Sequence, residues 1–199
     1  MSKKEYSVRI VKKHECVSLL QEHHYLTGIS KGFKSGFNVG LFKEDDLVGV
    51  CIFTGFPVPE LVVGLFGLSR DSQEGMWELS RLVLAPDVQA LEHNLASWFV
   101  AKSIKRLRKS CDVRAILSYA DEGYHKGTVY RALGFDYYGL SAQKKDFWVK
   151  TKEGVFKKMS RGKTKGVDGE WRLRTRKHRF LKVYDKTLNP LWAKAEENK

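Results

Sequence analysis

The chain has 199 residues, 42% hydrophobic and 12% aromatic, with a net charge of +13 and a pI near 9.6. That content excludes a disordered protein, and no apolar run approaches the length of a membrane span. The charge points to nucleic acid first and an anionic membrane surface second: between Lys157 and Lys186, twelve Lys or Arg face three Asp or Glu, a net of +9.

In chain order, Tyr6 to Val11 alternates and predicts a strand. His14 to Tyr25 predicts a helix with Val17, Leu20 and His24 on one face and His23 turned to solvent. Gly28 to Gly36 is a Gly/Ser/Lys loop. Phe37–Phe42 and Leu47–Thr54 are strands joined by the acidic turn Lys43-Glu44-Asp45-Asp46. Pro57 and Pro59 break the chain before the apolar segment Leu61–Leu68. Met76–Ala85 reads as a strand, then a loop from Asp87 to Asn94. Asn94 suits the N-cap of a helix running to about Lys109, with Trp98, Ala101, Ile104 and Leu107 as its buried stripe. Val113–Leu117 reads as a buried strand. A short helix after it carries its apolar stripe at His125, Val129, Ala132 and Leu133, and Gly134 stops it. A strand pair spans Tyr137 to Val149. Cys16, Cys51 and Cys111 have no metal-ligand spacing and read as small buried hydrophobes. The N-terminus shows no apolar signal region, and a reduced cytoplasmic setting is expected.

This order predicts a mixed α/β sheet flanked by helices, with a crossover in its middle. The domain division expected is 1–150 for the sheet and 151–199 for a basic C-terminal arm.

The densest polar feature is Ser118-Tyr119-Ala120-Asp121-Glu122-Gly123-Tyr124-His125. It empties side chains from the end of a strand onto the start of a helix, where α/β sheets build sites. Asp121 is either an N-cap or a reactive carboxylate. By period two, Glu78 and Ser80 share one strand face while Trp77, Leu79 and Arg81 share the other. Glu78 is then a general base or the partner of a cation such as Arg81. His24, Asp121 and His125 make a possible two-His, one-carboxylate set for a divalent metal such as iron. The segment Trp171-Arg172-Leu173-Arg174-Thr175-Arg176-Lys177-His178-Arg179 mixes cations with aromatics, as phosphate-contacting arms do.

The ending Tyr130-x-x-x-Gly134-Phe135 resembles the closing helix of GNAT acyltransferases, and the element order is similar to theirs. The coenzyme A loop of that fold is Gly-rich, whereas Asp87–Asn94 has no Gly. A more specific resemblance runs from about His23 to Tyr184. It is carried by His24-Tyr25, Glu78-Leu79-Ser80-Arg81-Leu82, Asn94 with Ser97-Trp98-Phe99, Ser118-Tyr119-Ala120-Asp121, the His125–Tyr130 motif and Arg176-Lys177-His178-Arg179. Together these resemble the Mom family of phage DNA-modification proteins.

The resemblance implies a GNAT-like enzyme in the host cytoplasm that converts adenine in double-stranded DNA to an N6-acetamido (carbamoylmethyl) form, blocking restriction enzymes. It implies catalytic roles for His24, Tyr25, Glu78, Ser80, Asp121 and Tyr130, the last as proton donor to a leaving group. It implies a small-molecule donor, acetyl-coenzyme A or another acetamido source, near Ser118, Tyr119, Asn94 and Ser97. DNA contacts fall to Arg81, His125, Arg174, Arg176, Lys177, His178 and Arg179. A target base would leave the stack and meet Tyr25, Tyr119, Tyr124 or Trp171. The alternatives are a GNAT-like N-acyltransferase for protein, tRNA or a small amine, and a non-catalytic DNA-binding protein on that scaffold.

Overall fold

Strand pairing organises the molecule. A computed structural model describes residues 3–23 and 33–196. Its main elements are strand β1 (Tyr6–Ile10), helix α1 (Val17–His23), β2 (Phe37–Lys43), β3 (Asp46–Gly55), α2 (Glu60–Phe66), β4 (Met76–Leu84), α3 (Pro86–Leu91), α4 (Leu95–Ser110) and β5 (Ala115–Asp121). They continue with α5 (Thr128–Ala132), β6 (Asp136–Leu140), β7 (Lys145–Lys150), β8 (Phe156–Met159), β9 (Glu170–Leu173) and β10 (Lys177–Val183). Seven strands form the main sheet in the order β1-β2-β3-β4-β5-β10-β6, and β8-β7-β9 form a second, smaller sheet. In the main sheet β4 and β5 run parallel and the other pairs are antiparallel. The crossover between them is α3 with α4. The mixed α/β expectation therefore holds.

Each face of the main sheet buries a helix layer. On one side Leu20 of α1 and Leu95, Phe99, Val100 and Leu107 of α4 pack on Val39, Phe53, Leu79, Ile116 and Ala120. On the other, Val62, Leu65 and Phe66 of α2 and the C-terminal Leu188 pack on Met76, Leu117, Tyr138 and Leu181. Each fully buried side chain of this size contributes about 1.5–3 kcal/mol, so both layers are needed to hold the sheet. Among the described residues, no helix is long and apolar enough to cross a membrane.

Four expectations need correction. First, the division at residue 150 cuts the main sheet, because β10 lies between β5 and β6 and pairs with both. Phe180 and Leu181 in it are fully buried. The segment read as an appended arm thus supplies an interior strand. Second, β6 and β7 do not pair; they belong to different sheets. Third, the apolar run Leu61–Leu68 is mostly helix, and Gly67 ends it at φ 68. Fourth, Asp87–Asn94 is not simply a loop: Pro86 opens α3 at a first-turn position, where its missing N–H costs nothing. Asn94 does precede α4, but at φ 58 and with no side-chain cap; Ser97 Oγ instead donates to the Asn94 carbonyl at 3.0 Å. Gly134 stops α5 as expected, at φ 68.

Candidate active site

The site opens where β4 and β5 stop pairing. Their parallel register runs from Met76↔Ala115 to Leu79↔Ser118 and ends there, although both strands continue. Ser118 Oγ donates to the Leu79 carbonyl at 3.1 Å, a buried clasp at the last paired position. Beyond it lies a cleft of about 510 Å³. Its walls are Leu79–Leu84 of β4, Tyr119 and Ala120 of β5, and the loop Tyr124–Gly127 leading into Tyr130 of α5.

A bulge sets which side chains enter it. The β3–β4 register passes from Phe53↔Leu79 to Ile52↔Arg81, leaving Ser80 unpaired. The extra residue resets the alternation. Thr54 and Ile52 share one face of β3, so their partners Glu78 and Arg81 share that face, not Glu78 and Ser80. The hydroxyl of Ser80 donates to the Ile52 carbonyl at 3.2 Å, which ties down the bulge.

The electrostatics of these residues are linked. Burial raises the Glu78 carboxyl above its ordinary range, and the charges of Arg81 and Lys34 offset this only in part. Burial and then the Glu78 charge push the Tyr119 hydroxyl up to about 12, against the pull of Arg179. Arg81 Nη1 donates to the Ser80 carbonyl at 2.6 Å, while its buried Nε has no hydrogen-bond partner among the described residues. Such a buried donor is costly unless something accepts from it. Arg81 and Tyr119 thus line the cleft with a guanidinium and a phenol kept protonated, and Glu78, still paired with Leu117 just before the opening, lies outside the lining but near enough for its charge to act with both.

Other expected residues lie elsewhere. Asp121 does not line the cleft. Burial alone would raise its carboxyl, but hydrogen bonds from Lys177, Thr175 and the Gly123 N–H hold it below the usual range. Thr175 Oγ1 donates to Oδ2 at 2.9 Å, Gly123 N to Oδ1 at 3.0 Å, and Lys177 Nζ also donates to Oδ2. This is a structural knot, and the carboxylate has little capacity left for a metal or a proton. Among the described residues no group of three His, Cys, Asp or Glu could hold a metal ion. The catalytic candidates His24 and Tyr25 lie outside the described residues. His125 is exposed on the cleft-lining loop, and His23, expected to be solvated, is half-buried and lines the cleft. Tyr130 lines it too, packed on Phe180 and Phe135 at centroid distances of 5.2 and 5.7 Å. Tyr124 is exposed at the mouth.

The cations of the supposed arm are largely committed inside the fold. Arg176 pairs with Glu122 at 3.2 Å, and Lys177 with Asp121. Arg179 donates to the Tyr138 carbonyl and stacks over Trp192 at 4.4 Å. A 2.8 Å hydrogen bond links His178 Nδ1 and Tyr137 Oη. Arg174 is exposed, 4.0 Å from Asp146. The pairing of β10 with β5 forces this use, since alternate side chains of an interior strand must find partners on the sheet.

A second hollow of about 410 Å³ adjoins the cleft at the start of α4, lined by 89–97 with Thr128, Val129 and Ala132. It contains the donor-site candidates Asn94 and Ser97. A diphosphate would meet first-turn amides of α4 there, but among the described residues the lining holds no Lys or Arg and includes the buried carboxylate of Glu92. The hollow's lining lacks the positive charge a diphosphate calls for, so its residues do not fit that group.

Comparison with solved structures identifies the fold. A Bacillus subtilis acetyltransferase in complex with CoA superposes with a TM-score of 0.53 at 12% identity, covering 90% of this chain and 99% of that one. The ribosomal-protein-S18-alanine N-acetyltransferase of Escherichia coli gives 0.53 at 13%, covering 98% of each chain. A GNAT-family acetyltransferase of Streptococcus pneumoniae gives 0.54 at 12%, covering 90% and 100%. The fold is that of the GNAT acetyltransferases. No curated protein matches the chain in sequence. Residues 5–191, nearly the whole chain, match the Mom protein family, and the chain belongs to it.

Proposed function

We propose that this protein is a DNA-modifying transferase that attaches an acetamido (carbamoylmethyl) unit to N6 of adenine. The observation that carries the reading is Arg81 and Tyr119 lining the cleft at the β4–β5 opening of a Mom-family chain, with the carboxyl of Glu78 just before the opening. A base inside a duplex cannot reach such a cleft, so the adenine is flipped out. Tyr119, Tyr124 and Tyr130 offer ring faces along the walls. Arg81 Nε, lacking an acceptor among the described residues, donates to an oxygen of the incoming unit. As the new N6–C bond forms, the bond from the methylene carbon to the donor's leaving group breaks, that group departs with the electron pair, and the amine must lose a proton. Glu78, ionised only above the ordinary carboxylate range, is the base for it, acting beside the protonated Tyr119. A net charge of +13 suits a polyanionic substrate.

The test is mass spectrometry of nucleosides from DNA of cells making the protein. Wild type should yield deoxyadenosine heavier by one carbamoylmethyl group, and Arg81→Gln and Glu78→Gln should yield little. Unmodified deoxyadenosine with wild type would overturn the reading. It would leave the second one, N-acylation of a protein or small amine, which the fold likeness to the S18-alanine N-acetyltransferase favours.

A further inference from the structure

The segment between β6 and β10 folds as its own sheet, and its position and its two unequal faces point to a use. β10 begins at Lys177, opposite Asp121, the last residue of β5; His178 lies opposite Leu140, the last of β6. The small sheet therefore leaves the main sheet at the carboxyl end of β5, where the loop Tyr124–Gly127 lines the cleft. Its stem is fixed there. Thr175 bonds Asp121, and the backbone N–H and guanidinium of Arg176 both bond Glu122.

Cross-strand partners share a face. One face carries Asp146, Trp148, Lys150, Phe156, Lys158, Glu170 and Arg172. Its charges mostly cancel: Lys158 pairs with Asp146 at 2.7 Å, and Arg172 pairs with Glu170 while lying 3.7 Å from the centre of the Phe156 ring. The other face carries Lys145, Phe147, Val149, Lys157, Met159, Trp171 and Leu173. It has two lysines and no acid. Neither lysine has an ion-pair or hydrogen-bond partner among the described residues. Trp171 is 51% exposed and leans on Phe147 at 5.2 Å. From 142 to 175 the chain holds eleven Lys or Arg and four Asp or Glu, so more than half of the whole protein's +13 sits in this insertion.

We infer that the face bearing Lys145, Lys157 and Trp171 is the surface that grips duplex DNA beside the cleft. The lysines meet phosphates on either side of the flipped nucleotide, and the indole of Trp171 contacts bases next to the gap. This rests on the DNA reading above and adds where the duplex lies. A two-stranded β-ribbon or small sheet is narrow enough to enter a groove. The anionic partner is duplex DNA and not a lipid surface, because the same end of the molecule holds the cleft that would receive the base.

The experiment uses the full-length protein and a short labelled duplex, with affinity followed by fluorescence anisotropy across a salt series. Lys145→Gln with Lys157→Gln should lower the log–log salt slope by up to about 1.8, since each phosphate contact releases about 0.9 counterion. Trp171→Ala should weaken binding about fivefold or more and leave the slope in place. Lys150→Gln, on the opposite face, should change neither. All four substitutions are at exposed or half-exposed positions, and thermal unfolding should match wild type. An unaltered slope in the double variant, or an equal effect of Lys150→Gln, overturns the inference. So does wild-type binding to anionic lipid vesicles with none to duplex. If wild type modifies adenine while the double variant keeps its slope, the docking surface is wrong and the function stands; if wild type neither binds duplex nor modifies it, both fall.

Discussion

Asp121 separates a structural from a catalytic reading of the polar loop. Asp121→Asn removes the negative charge that meets Lys177 and takes a bond from Thr175. Breaking a fully buried pair costs about 3–5 kcal/mol. The Lys177 side chain is 27% exposed, so water recovers part of that, and the expected loss is about 2–3 kcal/mol. At roughly 2–4 °C per kcal/mol for a chain of this size, melting should fall by about 4–12 °C. The sign of the pH dependence follows from the depressed carboxyl. Its contribution is complete above the unfolded value near ~3.9 and is lost as pH falls through the lower folded value. The gap between wild type and variant should therefore close as pH drops below about 4. Urea unfolding from neutral pH downward measures it. A variant that melts with wild type yet makes no modified adenine would refute the structural role and return Asp121 to the mechanism.

Further outcomes are expected. The activity of wild type should show an acidic limb above the ordinary carboxylate range, because burial raises Glu78; Glu78→Gln should remove activity without lowering stability, and an unchanged pH–rate profile in it would exclude Glu78 as base. Gly127→Ala should destabilise by about 2–4 kcal/mol, combining a left-handed φ of 74 with a Cβ that would lie 2.2 Å from the Phe180 ring; denaturant midpoints check this. Acetyl-coenzyme A should show no tight binding in calorimetry, and Glu92→Gln should strengthen what there is, since the buried carboxylate faces the hollow that would hold the diphosphate; tight stoichiometric binding by wild type would contradict the charge argument.

The parts of this fold that sequence reveals are those whose signal is local. The apolar runs of β2, β3 and β4 and the stripe of α4 show through because burial leaves a periodic trace within a dozen residues. The run Leu61–Leu68 shows in sequence only as an apolar segment, and its helix becomes visible in its packing with Met76 and Leu188. The placement of β10 has no local trace. Whether Lys177-His178-Arg179-Phe180 is an arm or an interior strand depends on β5, more than 50 residues earlier. The same holds for the site. The importance of the Ser118–Tyr130 stretch was legible from its density of polar side chains. The pairing of Glu78 with Arg81 was not, because one extra residue at Ser80 reverses the alternation. His23 was misplaced for a related reason: its exposure is set by the cleft rim and not by the helix stripe.

The position of β10 also governs when the protein can form. During synthesis, β5 and β6 emerge well before their shared neighbour, and until residue 183 has left the ribosome the edge of β5 is an unpaired row of backbone donors and acceptors. Pairing across so long a separation is slow. The small sheet, the Asp121 knot and the outer wall of the cleft all become fixed in that one closing event. A nascent chain or truncated product ending before β10 therefore leaves β5 with an open edge, the kind of chain that chaperones and proteases act on.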